Sequence, residues 1–299
     1  MTPPDSRLTI QTSLLTCLSM LAFAGNSILC RLALVQRHID PLSFTVLRLA
    51  SGALVLYVLV KLSARSSAAP SARQPASARQ AGSWAGAIAL TLYAVAFSLA
   101  YVNMESGAGA LILFGAVQLS MFLYGLFRGE RLGRLSMAGL FVSIIGLVFL
   151  LLPGSSTPPL GAAALMAVAG AAWGWYSILG KSAANPLVAT AGNFVRAVPL
   201  GLFAALPFFA TLHWDAPGVL YAILSGAGAS GLGYVVWYGV MNHLSVMKAS
   251  AVQLSVPIIT ALIGAALLDE VLTLQVVSAC VMVLGGIALV LMGKRRRAK

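Results

Sequence analysis

Apolar runs of about twenty residues recur along the whole chain, and this feature limits the fold more than any other. A helix rises about 1.5 Å per residue, so roughly 20 apolar residues cross the hydrocarbon core of a bilayer. Ten such runs are placed at 10–33, 41–60, 84–104, 107–127, 135–152, 161–180, 187–208, 217–241, 249–268 and 272–292. They lack the apolar–polar alternation of membrane-barrel strands. Only 9% of the 299 residues are charged, against about 25% in soluble domains. The chain is therefore expected to be an all-α polytopic membrane protein with no room for a soluble domain. Asn26 and Arg31 near the end of the first run, with another span close behind, read as a retained helix rather than a cleaved signal.

The formal charge of +12 raises nucleic acid as a partner, but its distribution argues against one. With the N-terminus placed in the cytoplasm, 15 of the 19 basic residues fall on cytoplasmic segments, including Arg128, Arg131, Arg134 and the tail Lys294–Arg297. Asp40, Glu105, Asp215, Asp269 and Glu270 fall on the other side. The positive-inside rule then predicts both termini in the cytoplasm of a plasma membrane, the bacterial inner membrane, and this requires an even number of spans. Ten satisfies it.

The halves repeat. At a shift of 140, Glu130 meets Glu270, Leu132 meets Leu272 and Gly146 meets Gly286. At 150, Arg31 meets Lys181, and at 148 Arg48 in the second span meets Arg196 in the seventh. The pentapeptide AVQLS, at 116–120 and 251–255, recurs at a shift of 135 that breaks this order, and is coincidence. The expected units are 1–153 and 154–299, with residues 61–83 a flexible, Ser/Ala/Pro-rich cytoplasmic linker. Five spans per half, an odd number, make the halves oppositely oriented. Ten helices as two inverted five-helix repeats around a central cavity is the architecture of secondary transporters, with access alternating as the halves rock.

Ten spans, an Arg in the second helix of each half and a Glu–x–Leu turn before each last helix resemble the drug/metabolite transporter superfamily. More narrowly, they resemble its EamA-type exporters. Pro257, 13 residues before Glu270, matches that family's pattern, while Val117 stands at the corresponding place before Glu130. The aromatic third, sixth and eighth helices are similar to those of YddG-type amino-acid exporters. The resemblance implies export of small organic metabolites, aromatic and neutral amino acids first, with no cofactor and no obligate protein partner. A sugar-phosphate or nucleotide-sugar permease of the same superfamily is the alternative, and it would want more mid-membrane cations than Arg48 and Arg196.

Few residues offer other chemistry. The stretch GWYSILGKS, 174–182, has five residues between its glycines where a phosphate loop needs four, and it ends a membrane helix. His38, His213 and His243 fall at span ends on different faces, and Cys17, Cys30 and Cys280 read as small buried side chains, so neither an enzyme nor a metal site is expected. A receptor would want an extramembrane domain. Without a nucleotide motif, flux is expected to persist without ATP or a proton gradient, with Glu105 the one candidate for proton coupling.

An intramembrane Arg is costly unless paired. Arg48 and Arg196 either anchor a substrate carboxylate or donate to helix-end carbonyls of their own half. Their occurrence in both halves favours a structural role, shared with Glu130 and Glu270. The candidate substrate-binding residues are Tyr93, Phe97 and Tyr101, one stripe of the third helix, with Trp173, Tyr176 and Trp237. An aromatic belt at the lipid interface is the ordinary alternative for such rings. Ser255 and Pro257 complete the set, on the expectation that Pro frees a backbone carbonyl. The Gly/Ser-rich LSGAGASGLG, 224–233, is expected to let helices pack closely and slide.

Overall fold

The structure is a computed structural model that describes residues 6–66, 82–127, 130, 131, 133–153, 157–180, 183, 185–241, 252–293, 296 and 297. Its helices are α1 (Ser6–Val35), α2 (Pro41–Ser66), α3 (Trp84–Tyr101), α4 (Ser106–Phe127), α5 (Arg134–Leu150) and α6 (Leu160–Gly180). They continue as α7 (Pro186–Ala205), α8 (Ala216–Ile223), α9 (Gly233–Met241), α10 (Ser255–Leu267) and α11 (Leu274–Met292). A π-helical stretch, Leu224–Leu232, joins α8 to α9, so the three make one span. Among the described residues, eight spans are long and apolar enough to cross a membrane, and α5 and α10 are shorter apolar helices. Together they are the ten expected.

Polar residues start these helices because the first backbone N–H groups have no intrahelical acceptor. Asp40 accepts from the amides of Leu42 and Ser43 ahead of α2. Ser83, Asn185, Asp215 and Thr273 do the same for α3, α7, α8 and α11. Residues 61–66, expected in the linker, instead continue α2 beyond its apolar run, and residues 67–81 of that linker lie outside the described part. No strand was expected. Glu130–Arg131 nevertheless pairs antiparallel with Arg296–Arg297, which puts the α4–α5 turn and the end of the chain on one face. Because consecutive spans run antiparallel, Glu270 lies on the opposite face.

Side chains are sorted as lipid demands. Leu54, Phe141, Phe203 and Val281 are exposed, while Asn26, Arg48, Ser98 and Gln118 are buried. Apolar side chains solvated by lipid need no cover, whereas a polar group facing acyl chains has nothing to bond.

Contacts between the halves follow a two-fold relation. Helix α2 packs on α7, α5 on α11 and α4 on α10, while α3–α6 has its counterpart in α1 against α9. Single residues obey it too. Ser143 donates to the carbonyl of Val283, its own partner at a shift of 140. A Cβ on Gly286 would meet Ser143 and one on Gly146 would meet Val283, two contacts that the same shift interchanges. Small residues let α5 and α11 approach at this axis.

Candidate functional site

The centre of the molecule is aromatic. Phe23 and Asn26 come from α1, Tyr93 and Phe97 from α3, Leu113 and Phe114 from α4, Trp173 from α6, Ala229 from the π-helical stretch and Tyr234 from α9. Both halves therefore contribute. Ring centroids lie 5.0 Å apart for Tyr93–Trp173 and for Trp173–Tyr234, and 5.3 Å for Tyr93–Phe97. The cavity between them measures about 20 Å³, room for about one water. In this conformation the rings meet, and the space between them is far smaller than a metabolite.

Arg48 stands against this cage. It is 2% exposed, with Cζ 5.1 Å from the ring centroids of both Tyr93 and Phe97. Its Nη2 donates to Tyr93 Oη at 3.0 Å and its Nε to Ser230 Oγ at 3.3 Å, while Nη1 has no hydrogen-bond partner. The helix-end carbonyls expected as its acceptors are not its partners. Asn26 also donates to Tyr93 Oη, at 3.2 Å, and accepts from Ser225 Oγ at 2.6 Å. Ser225 and Ser230 both lie in the π-helical stretch, a distortion that is often found at functional sites. Gly226 between them allows it to touch α2, since a Cβ there would collide with the Arg48 carbonyl and Ser51 Oγ.

The face bearing Glu270 is closed by bonds between the halves. Asp40 accepts from the amide of His213 at 3.0 Å, and Ile39 pairs with Trp214. The carboxylate of Glu270 accepts from Ser106 N at 2.8 Å and Ser106 Oγ at 2.5 Å, which caps α4 across the interface. Arg31 lies 3.5 Å from Glu270 and donates to the carbonyls of Tyr101 and Val102. Partial burial, then the neighbouring Glu270, push the Glu105 carboxyl above its ordinary range, with Arg31 acting against them. His38 meets Asp215 at 2.7 Å. The Gly218 amide, followed by His38, holds that exposed carboxyl below the usual range.

The structure brings some expected residues together and separates others. Tyr93, Phe97 and Trp173 line the cavity. Tyr176 packs on Trp173 at 5.5 Å, and Trp237 sits behind Phe23 at 5.8 Å, both buried one layer out. Tyr101 is turned to the Glu270 face, where its hydroxyl donates to the carbonyl of Ser106. Ser255 and Pro257 open α10 and do not line the cavity, and the Ser255 hydroxyl returns to the Val252 carbonyl. Pro257 lies in the first turn of α10, with helical residues 252 and 253 just ahead of it. Arg196 donates to the carbonyl of Gly192 in its own helix. The side chain of Glu130 lies outside the described part.

Phe23, Phe114, Ser225 and Ser230 are site residues that sequence reasoning does not single out. Phe23, three residues before Asn26 on one helical face, was lost in an apolar run. The serines were legible only as small residues. Among the described residues no group of His, Cys, Asp and Glu is placed to hold a metal, and Gly174–Gly180 of the phosphate-loop lookalike is regular helix.

The sequence profile of the EamA-like transporter family matches residues 11–152 and again 160–292. The chain belongs to this family. It is a multi-pass membrane transporter of small molecules, built as two copies of one five-helix unit. An uncharacterized protein of Pseudomonas aeruginosa is 51% identical over 295 residues, covering 99% of this chain and 98% of its own. An uncharacterized transporter of Archaeoglobus fulgidus is 28% identical over 279 residues, 87% of this chain and 90% of its own. A solved crystal structure superposes with a TM-score of 0.64 at 18% identity, covering 94% of this chain and 96% of the other, a likeness of fold alone.

Proposed function

We propose that this EamA-family protein is a secondary exporter of small organic metabolites, aromatic and neutral amino acids first, working by alternating access in a plasma membrane with both termini cytoplasmic. The observation that carries the reading is the cage of Phe23, Tyr93, Phe97, Trp173 and Tyr234, drawn from both halves and carrying polar tips beside Asn26. Flat rings with hydroxyl and amide groups suit a molecule with an apolar side chain and a polar head. Two halves that each supply part of the cage bind the substrate only between them, as alternating access requires. A sugar phosphate is the poorer fit, because among the described residues lining or touching the cage the one cation is Arg48.

The test is uptake of labelled L-phenylalanine and L-leucine into proteoliposomes with no ATP and no pH step. Saturable flux is expected, and Trp173→Ala should lower it several-fold, since one ring stacked on the substrate contributes roughly 0.5–1.5 kcal/mol beyond area burial. Unchanged flux in Trp173→Ala with normal expression would remove the ring from the site.

A further inference from the structure

Arg48 is a buried cation between the two halves for which the described structure supplies no anion. The ion pairs among the described residues are Arg31–Glu270 and His38–Asp215. Arg48 has instead two neutral oxygens, and their arrangement is informative. Ser230 Oγ receives Nε and Tyr93 Oη receives Nη2, so two hydroxyls occupy the two acceptor positions along one edge of the guanidinium. A carboxylate bound side-on fills those same two positions with its own two oxygens and adds the missing negative charge. One hydroxyl comes from the first half and the other from the second, so parting the halves removes one of them.

We propose that Arg48 is the carboxylate-binding residue of the transport site, and that substrate carboxylate replaces the Ser230 and Tyr93 hydroxyls on its Nε/Nη2 edge as the cage opens. The proposal rests on the reading of the cage as the substrate site. It adds the chemical class: a monocarboxylate whose apolar part lies against the rings, amino acids included. Three further features fit. Nη1 is left over for a second bond to the same carboxylate or to a polar neighbour of it. Asn26, tied to Tyr93 Oη and Ser225, sits on the cavity wall where the rest of a polar head would lie. Exchange of two neutral contacts, of which the one to Ser230 crosses between the halves, for one charged ligand couples binding to the relative position of the halves, because only the closed arrangement offers Ser230 to Nε.

The test needs the full-length protein in proteoliposomes and two matched pairs of probes: L-phenylalanine with L-phenylalaninamide, and L-leucine with L-leucinamide, each scored by flux. The acids should exceed their amides by at least about tenfold, the difference expected when a charge-assisted fork is lost. Arg48→Gln should erase that preference, and Arg48→Lys should restore part of it. Size-exclusion profile and melting temperature check that the variants fold, and the wild-type acid-to-amide ratio stands even if they do not. Acids and amides carried equally, with both aromatic probes preferred, would overturn the role of Arg48 and leave the aromatic cage standing. Acids preferred without regard to the ring would support Arg48 and overturn the aromatic selectivity. If none of the four probes is carried, both readings fall.

Discussion

Arg48 in α2 and Arg196 in α7 hold related places in the two halves, yet one is sealed at the centre and the other is half-buried beside its own helix. The difference begins at the helix starts. Asp40–Pro41 opens α2 and Asn185–Pro186 opens α7, a shift of 145, whereas the arginines pair at 148. Arg196 therefore lies three residues farther along its helix, roughly 4.5 Å along the axis and about 60° around it. The residue standing where Arg48 stands is Asn193, buried, and accepting from the amide of Ser83. Two halves of one design thus place a cation and a neutral amide at equivalent points. A repeat fixes the frame, and small slips in register decide which side chain reaches the middle.

The comparison depends on the halves being inverted, and the largest effect tests that. Single cysteines at Glu130 and Glu270 should be labelled by an impermeant thiol reagent from opposite sides of the membrane, an all-or-none difference. Labelling from one side would dissolve the two-fold relation and the transport mechanism built on it.

Next is the pair of arginines. Arg48→Met should lower carboxylate flux about 100-fold, as loss of two charge-assisted hydrogen bonds of roughly 1.5 kcal/mol each would. Its melting temperature should hold or rise, because no partner carboxylate is stranded and a buried ion replaced by an apolar side chain is often neutral or stabilising. Arg196→Met should leave flux within about twofold of wild type, since a partly exposed Arg bonded to its own helix contributes little. Equal losses in both would erase the asymmetry. An Arg48→Met protein that fails to fold would return Arg48 to the structural role its repetition in the sequence suggests.

A smaller effect separates the two glutamates. Glu270→Gln should loosen the face it closes by about 1–2 kcal/mol, the scale of a lost charged helix cap. Hydrogen exchange at the first turn of α4 should then rise roughly tenfold. Unchanged protection at Ser106–Gly109 would mean that the Asp40–His213 and Ile39–Trp214 contacts hold this face alone.

The smallest effect concerns Glu105. Its carboxyl is raised, so the folded state favours the protonated form. That contribution to stability is complete below the ordinary glutamate range and is lost as pH rises through the raised value. Glu105→Gln should flatten this part of the pH–stability curve and melt slightly higher at neutral pH. Flux without a pH step should persist in it. Uphill transport driven by a pH step and abolished in Glu105→Gln would make the residue a proton carrier.

Much of this protein is written in one dimension. Span number, helix boundaries to within a few residues and the odd count per half follow from apolar run length and from rare polar residues falling in the same order, because lipid forces each backbone group to bond within its own segment. The aromatic stripe on α3 was legible for the same reason, as helical periodicity puts Tyr93 and Phe97 on one face whatever surrounds them. What periodicity cannot state is which face meets which neighbour. Tyr101 shares the stripe but leaves the cage, because the Ser106 carbonyl beyond the end of α3 captures its hydroxyl. Ser225, Gly226 and Ser230 read as small residues for close packing. Only the π-helical turn and its contact with α2 make them hydrogen-bonding partners of Asn26 and Arg48. Composition and period determined that this chain lies in a membrane as two related halves. The position of the cation, the identity of the rings around the cavity and the closure of one face came from packing between segments distant in sequence, where a slip of three residues turns a side chain by about 60° around its helix.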